Sequence, residues 1–315
     1  MSPAAPLAGR LQRLSDRFSD RLQFDVPLAR LTSARIGGPA EALLAVRDVE
    51  ELAVAASMLW EAQVPFRILG GGSNVLISDR GVPGMLLLNR AKAVRFDEAD
   101  GQLQGWAESG ASLGALARRA CEKGFSGLEW AAGVPGTVGG AVVGNAGAHQ
   151  GDVAGTLRVA EILQPGGQIE NWTPGRLEFG YRESWLKRHP GCAVVLSAAF
   201  KLQVSSPKET RARMMEYTEA RQRSQPPGAS WGSMFKNPPG DFAGRLIEAA
   251  GMKGARVGQA QVSRQHANFF INLGEATATD AWQLICQVRD RVKQVSGVDL
   301  ELEIERVGIW EGDPA

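Results

Sequence analysis

Three short polar clusters hold the side chains best suited to moving a proton. Phe179-Gly180-Tyr181-Arg182-Glu183-Ser184 brings together a phenol, a guanidinium, an acid and a hydroxyl. Gly232-Ser233-Met234-Phe235-Lys236-Asn237-Pro238 sets a hydroxyl, an amine and an amide around two bulky apolar residues. Leu300-Glu301-Leu302-Glu303-Ile304-Glu305 alternates apolar and acidic side chains, so an extended strand would turn Glu301, Glu303 and Glu305 to one face. A held hydroxyl can give up a proton, and a fixed arginine can meet negative charge as it develops. A turn serine and a wet acidic face are equally ordinary readings of the last two clusters.

The elements that would position such groups are organised around glycine. Between Gly127 and His149, glycine recurs at 127, 133, 136, 139, 140, 144 and 147 among Ala, Val, Leu and Trp. Apolar neighbours predict an ordered, buried stretch and not a flexible linker. Without side chains, the backbone there can approach a large ligand, and successive amides can form concave anion sites. A tightly packed core turn is the alternative. A second cluster, Gly70-Gly71-Gly72-Ser73-Asn74, follows the strand-like Phe66–Leu69, and a third turn is Arg35-Ile36-Gly37-Gly38-Pro39-Ala40. Together they suggest one extended ligand touched from several sides. None is a G-x-G-x-x-G dinucleotide fingerprint or a G-x-x-x-x-G-K-[ST] phosphate loop. Ser73 and Ser126 lie near glycines, but neither has the second flanking Gly of a G-x-S-x-G nucleophile elbow.

The chain alternates helix and strand. A strand is predicted at Glu41–Val46. A helix follows, started by Asp48 with Glu51 three residues on and carrying Leu52, Ala55, Ala56 and Leu59 at helical spacing. Further strands are predicted at Phe66–Leu69, Val75–Ser78 and Met85–Asn89. Val94–Phe96 and Leu103–Ala107 flank the hairpin signal Asp100-Gly101. Ser112 caps a helix running to Lys123, with Gly124 as its stop. Leu157–Leu163 and Gln168–Trp172 read as paired strands, and Ala193–Lys201 as another. Composition shifts near Ser205–Lys208. Charged Glu209–Arg223, amphipathic Asp241–Ala250 and Thr279–Val295 are predicted helices, and Ala267–Leu273 and Val298–Val307 predicted strands.

Bulk numbers narrow the function classes. The chain has 315 residues, enough for two or three domains. Thirty-five basic against 34 acidic residues give a net charge of +1, with no global sign of nucleic-acid binding. No apolar run approaches the roughly 20 residues needed to cross a bilayer. Residues 1–22, interrupted by Asp16 and Asp20, are expected to be a short helix or frayed end and not a secretory signal. Cys121, Cys192 and Cys286 are odd in number and far apart, which suits a reducing compartment. With three scattered histidines, no metal site is expected.

The motif series resembles that of the UDP-N-acetylenolpyruvoylglucosamine reductases, the MurB family. It is carried by Thr32-Ser33-Ala34-Arg35-Ile36-Gly37-Gly38-Pro39-Ala40, Leu69-Gly70-Gly71-Gly72-Ser73-Asn74-Val75-Leu76, Gly133-Val134-Pro135-Gly136-Thr137-Val138-Gly139-Gly140 and Asn145-Ala146-Gly147-Ala148. Tyr181-Arg182-Glu183-Ser184, the Gly232–Pro238 motif, Ala250-Gly251-Met252-Lys253-Gly254 and His266-Ala267-Asn268-Phe269 extend it, over roughly residues 24–309. The resemblance implies an α+β fold: a non-Rossmann, two-subdomain FAD-binding fold of the vanillyl-alcohol-oxidase type, plus a C-terminal α+β substrate-binding domain. The division implied is an N-terminal extension at 1–22, FAD subdomains at 23–91 and 92–204, a substrate domain at 205–299, and a C-terminal strand and tail at 300–315. The activity implied is NADPH-dependent, FAD-mediated reduction of UDP-N-acetylglucosamine enolpyruvate to UDP-N-acetylmuramate for peptidoglycan. FAD is expected non-covalent, with NADPH as co-substrate. The protein is expected to be a cytoplasmic monomer with no nucleic-acid partner and no membrane insertion.

Carried over residue by residue, Ser233 is the expected proton donor, with Arg182 and Glu303 its catalytic partners. Cofactor contacts are expected from Arg35, Gly37, Gly70, Gly71, Gly72, Ser73, Asn74, Gly133, Pro135, Gly136, Thr137, Gly139, Gly140, Asn145, Ala146 and Gly147. Substrate contacts are expected from Tyr181, Arg223, Lys236, Asn237, Lys253 and Asn268, with Arg221 a further candidate for the diphosphate. Two positions depart from the family pattern. Leu302 replaces a common Pro between the two C-terminal acids, and His149-Gln150-Gly151 stands where Tyr or His followed by Gly-Gly is common. No insertion marks the longer, type I form, so the chain resembles type II.

Overall fold

The computed structural model describes residues 7–312. The chain divides into two compact units. One takes residues up to Phe24, Ala42–Gly71 and Gly84–Glu219; the other takes Asp25–Glu41, Gly72–Pro83 and the chain from Ala220 onward. Among the described residues, no helix is long and apolar enough to cross a membrane.

The first unit is built on two sheets. A four-stranded sheet has the order Leu22–Pro27, Pro39–Val46, Val82–Asn89, Phe66–Leu69. The helix Val49–Glu61 covers it, capped by Asp48, whose carboxylate accepts the Glu51 N–H at 2.8 Å. Its buried face is Leu52, Ala55, Ala56 and Leu59, packed with Leu44, Val46, Met85 and Leu87. Burying each such leucine contributes about 1.5–3 kcal/mol. Leu11, Leu14 and Phe18 join the same core from the N-terminal turn and helix. Expectations for residues 1–6 lie outside the described residues.

The second sheet runs Ile169–Trp172, Leu157–Leu163, Val194–Lys201, Gln102–Glu108, Val94–Ala99, all antiparallel. Its hairpin turns at Asp100 and Gly101, which hold φ of 51° and 68°. The helix Leu113–Glu122, capped by Ser112, buries Leu113, Leu116, Ala117 and Ala120. The element inside the glycine stretch was not foreseen. The glycine stretch contains a helix, Val138–Gly144, which buries Val138, Ala141 and Val142. Glycine is a poor helix former, but packing outweighs that cost of about 1 kcal/mol per residue. Gly139 shows why a small residue is needed, since a Cβ there would stand 2.9 Å from the Ser109 Cβ.

The second unit has an antiparallel sheet in the order Ser230–Ser233, Phe269–Asn272, Ala260–Val262, Arg256–Val257. The helices Ala243–Ala249 and Ala278–Ser296 cover it. Their buried residues Leu246, Ile247, Leu284, Ile285, Val288 and Val292 share one core with Trp231, Phe235 and Phe270. The Asp79 carboxylate accepts the Ala278 and Thr279 N–H groups, closing the first turn of the long helix. The expected strand Val298–Val307 is only partly one. Its front half meets Phe235 in a single bridge at Leu302, and only Glu305–Val307 forms a strand, parallel to Val75–Ile77. The segment changes partner midway, so it cannot keep one strand register.

Candidate active site

In the first unit, two glycine loops touch backbone to backbone. A Cβ on Gly70 would lie 2.3 Å from the Thr137 Oγ1, and one on Gly71 would lie 3.2 Å from the Gly136 Cα. Gly133 and Gly136 hold φ of 69° and 105°, open only to glycine at low cost. Gly71, Gly133, Pro135 and Gly140 are solvent-exposed. A strip of exposed main chain without covering side chains suits an extended cofactor and its diphosphate. Among the residues expected at a cofactor, Asn145 also has a structural role. It is buried and left-handed (φ 43°), donates to the Gly180 carbonyl at 2.9 Å and accepts the Ala154 N–H at 2.9 Å.

That use of Asn145 explains where Arg182 stands. The turn Gly180–Glu183 is hung on the end of the helix Val138–Gly144 by three bonds. Asn145 holds Gly180, the Arg182 guanidinium donates to the Gly147 carbonyl at 2.9 Å, and the Ser184 hydroxyl donates to the Val143 carbonyl at 2.7 Å. Arg182 itself holds φ of 59°, and its guanidinium lies 5.4 Å from the Tyr181 ring. Tyr181 is exposed. Ala146 and Gly147 supply the backbone of this junction: the Ala146 carbonyl accepts the Val153 N–H, and Gly147 pairs with Asp152. His149 and Gln150 are both left-handed, at φ 49° and 64°, a geometry that glycine adopts at lower cost. The His149 ring stacks on Tyr217 at 4.2 Å.

In the second unit, Gly72 sits on the Thr32 turn. It holds φ of 61°, its carbonyl accepts the Ser33 N–H at 2.9 Å, and a Cβ would collide with the Leu31 carbonyl. Arg35 is exposed on that turn at φ 57°, and a Cβ on Gly37 would stand 3.1 Å from the Ile77 Cβ. Ser73 and Asn74 continue from Gly72, and a Cβ on Gly232 would lie 3.9 Å from the Ser73 carbonyl. The loop thus runs past the serine segment. Ser233 ends the strand Ser230–Ser233, in register with Phe269.

Glu303 is brought to the same place by backbone bonds. Its N–H donates to the Met234 carbonyl at 2.9 Å, its carbonyl accepts from the Asn74 amide at 3.1 Å, and the Lys236 N–H donates to the Glu301 carbonyl at 2.8 Å. The structure therefore gathers Ser233, Glu303 and Asn74 in one unit. It does so through partner exchange and not the three-acid strand face expected. Glu301 is exposed and its carboxylate pairs with the Lys236 amine at 3.3 Å.

The expected substrate contacts divide by what their side chains do. Asn268 is 4% exposed and its amide is used at both ends, accepting the Phe235 N–H at 2.9 Å and donating to the Phe235 carbonyl at 2.8 Å. It is a strap on the serine segment. Asn237 accepts the Ala243 N–H at 3.0 Å, fixing the start of the next helix. Lys253 pairs with Glu248 at 2.8 Å, and Arg223 is exposed. Arg221 differs from these. It is half-buried, burial pushes its pKa down, and it has no ion-pair partner among the described residues. An uncompensated, desolvated guanidinium asks for an anion. Ser184 was visible as part of the Tyr181–Ser184 motif but its bracing bond was not, and Asp79 carries no sequence signal for its bracing role.

Exposed glycine backbone in one unit suits a flavin, and the chain's matched domain and relatives make it a flavin-dependent oxidoreductase. Residues 40–172 match the FAD binding domain model, and residues 223–307 match the model of the UDP-N-acetylenolpyruvoylglucosamine reductase C-terminal domain. The reductase of Rubrobacter xylanophilus is 46% identical over 95% of this chain and 98% of its own length; that of Chloroflexus aurantiacus is 42% identical over 89% and 95%. The crystal structure of the Thermus caldophilus enzyme matches with a TM-score of 0.76 and 38% identity, over 91% of this chain and 98% of that one. The chain belongs to the UDP-N-acetylenolpyruvoylglucosamine reductase family.

Proposed function

We propose that Ser233, Arg182 and Glu303 carry out the family's reaction in this chain. The reaction is the NADPH-dependent reduction of the enolpyruvyl ether of UDP-N-acetylglucosamine enolpyruvate to UDP-N-acetylmuramate, a step of peptidoglycan precursor synthesis; the enzyme is FAD-dependent. Bound FAD supplies the two-electron chemistry, and Gly70, Gly71, Gly133, Gly136, Thr137 and Gly140 are the residues suited to hold it. The reduced vinyl ether gains a hydride at C3 and a proton at C2. Ser233 delivers that proton from its hydroxyl. Arg182 meets the negative charge that develops on C2 and the adjoining carboxylate, from a side chain already fixed on Gly147. Glu303 is held against the serine segment as its acidic partner. Arg221 takes the diphosphate of the nucleotide sugar, with Tyr181, Arg223, Lys236, Asn237 and Lys253 as further substrate contacts, and Asn268 acts by positioning.

The observation that carries this reading is the bond between the Glu303 N–H and the Met234 carbonyl, which sets the acid against the residue following the serine. The test separates two half-reactions. Ser233→Ala should leave bleaching of the flavin by NADPH within about twofold and slow its reoxidation by the UDP-sugar by roughly 10²–10⁴-fold, the usual worth of a positioned proton donor. Reoxidation at the wild-type rate would remove Ser233 from the chemistry. With soluble nucleotide substrates, the enzyme is proposed to act in the cytoplasm as a monomer; light scattering after gel filtration checks the mass. We retain the five-part division at residues 22, 91, 204 and 299 as a functional partition, to be checked by limited proteolysis.

A further inference from the structure

His266 has no part in the chemistry above, yet it touches the strap that holds the serine segment. Its Nδ1 accepts the Asn268 N–H at 3.2 Å. The Asn268 carbonyl accepts the Met234 N–H at 2.8 Å, and its amide bonds both backbone groups of Phe235. Three bonds from one buried residue thus fix the two residues that follow Ser233. The residue is itself held. The Ser263 hydroxyl accepts the His266 backbone N–H at 3.3 Å, Phe269 meets the ring edge-on at 5.0 Å, and a Cβ on Gly244 would stand 3.3 Å from the ring's Cε1.

We propose that His266 is a positioning residue for Ser233, acting as a neutral ring through Asn268. The inference rests on the role given to Ser233 above. An Nδ1 that accepts a hydrogen bond carries no proton, so the ring's proton is on Nε2. Protonating Nδ1 would set two donors against each other and release the Asn268 N–H. The charged groups facing the ring are Lys253 and Glu248, which pair with each other at 2.8 Å. Burial is the largest influence and keeps the pKa below the usual histidine range; a hydrogen bond to the residue's own backbone and the Glu248 carboxylate favour a positive ring, and Lys253 opposes one. The strap is therefore intact at neutral pH and loosens in acid.

The experiment uses holoenzyme and follows the two half-reactions by flavin absorbance from pH 5 to 8. His266→Leu removes the acceptor. It should slow reoxidation by the UDP-sugar by about 10- to 100-fold, the scale of a misplacement near 1 Å, while bleaching by NADPH stays within twofold. His266→Asn puts an amide oxygen near the Nδ1 position and should restore reoxidation to within about threefold. In wild type the reoxidation rate should fall with an inflection below the usual histidine pKa, and His266→Asn should lack it. Wild-type reoxidation in His266→Leu, or an inflection that persists in His266→Asn, would overturn the proposal. An equal loss in both half-reactions would also overturn it, because that marks general destabilisation. If wild-type enzyme bleaches with NADPH but is not reoxidised by the sugar, the reading of the site has failed first.

Discussion

Replacing Gly70 with alanine tests the glycine junction most directly. The new methyl would lie 2.3 Å from the Thr137 Oγ1 and 2.9 Å from its Cγ2. Carbon contacts settle near 3.5–4.0 Å, so both atoms are too close, by roughly an ångström in the worse case. Threonine is branched at Cβ, so rotating one atom away brings another in. The remaining relief is a backbone shift, and overpacking of this kind costs about 1–3 kcal/mol. Gly70→Ala should therefore lower the melting temperature of flavin-free protein by several degrees, at about 2–4 °C per kcal/mol for a unit of this size. It should also lower retention of flavin on ultrafiltration. Thr137→Ala removes both clashing atoms and leaves only Cβ at 3.2 Å. The double variant should then recover at least half of the stability lost by Gly70→Ala, a coupling of about 1–2 kcal/mol between touching residues. Strictly additive losses, read by calorimetry on all four proteins, would refute the contact and the cradle built on it.

Arg221→Met should raise the substrate KM by about 10- to 100-fold with little change in flavin bleaching, because a lost charge-assisted contact is worth roughly 1.5–3 kcal/mol; steady-state kinetics with Arg221→Lys as partial rescue checks it. Asp79→Ala strips three acceptor contacts from the start of the helix Ala278–Ser296 and should cost about 1–2 kcal/mol in urea unfolding, the upper range for a lost cap. The Arg21 guanidinium beside Glu51 holds that carboxyl below its ordinary range. Its stabilisation is present above the unfolded carboxylate pKa and is lost as pH falls through the lower folded value. The melting-temperature gap between wild type and Glu51→Gln should thus be full at pH 6 and close as the pH drops toward 3. A gap that widens in acid would reverse the sign of the linkage.

Much of the scaffold was legible because its signals are local. Asp48 and Ser112 cap the helices they begin, and Asp100-Gly101 turns the hairpin it was expected to turn. Caps and turns depend on a few adjacent residues, so a sequence can display them. The site was legible in part. Ser233 and Glu303 stand on neighbouring segments, but the final strand was read too long, because alternation cannot reveal that its partner changes from Phe235 to Val75. The helix Val138–Gly144 was hidden because its stability comes from burial and not from propensity. Asn145 and Asn268 were read as ligand contacts. Each satisfies backbone more than 30 residues away, a role that spacing along the chain does not encode. The Arg221 guanidinium was visible only as one cation among several until its burial set it apart.

One flavoprotein passes two electrons from NADPH to a UDP-sugar enol ether, and an anaerobic titration in a single cuvette tests this. Purified protein loaded with FAD should lose its flavin absorbance on adding one equivalent of NADPH and regain it fully on adding one equivalent of UDP-N-acetylglucosamine enolpyruvate, with UDP-N-acetylmuramate as the product by mass. Bleaching without recovery would contradict the account.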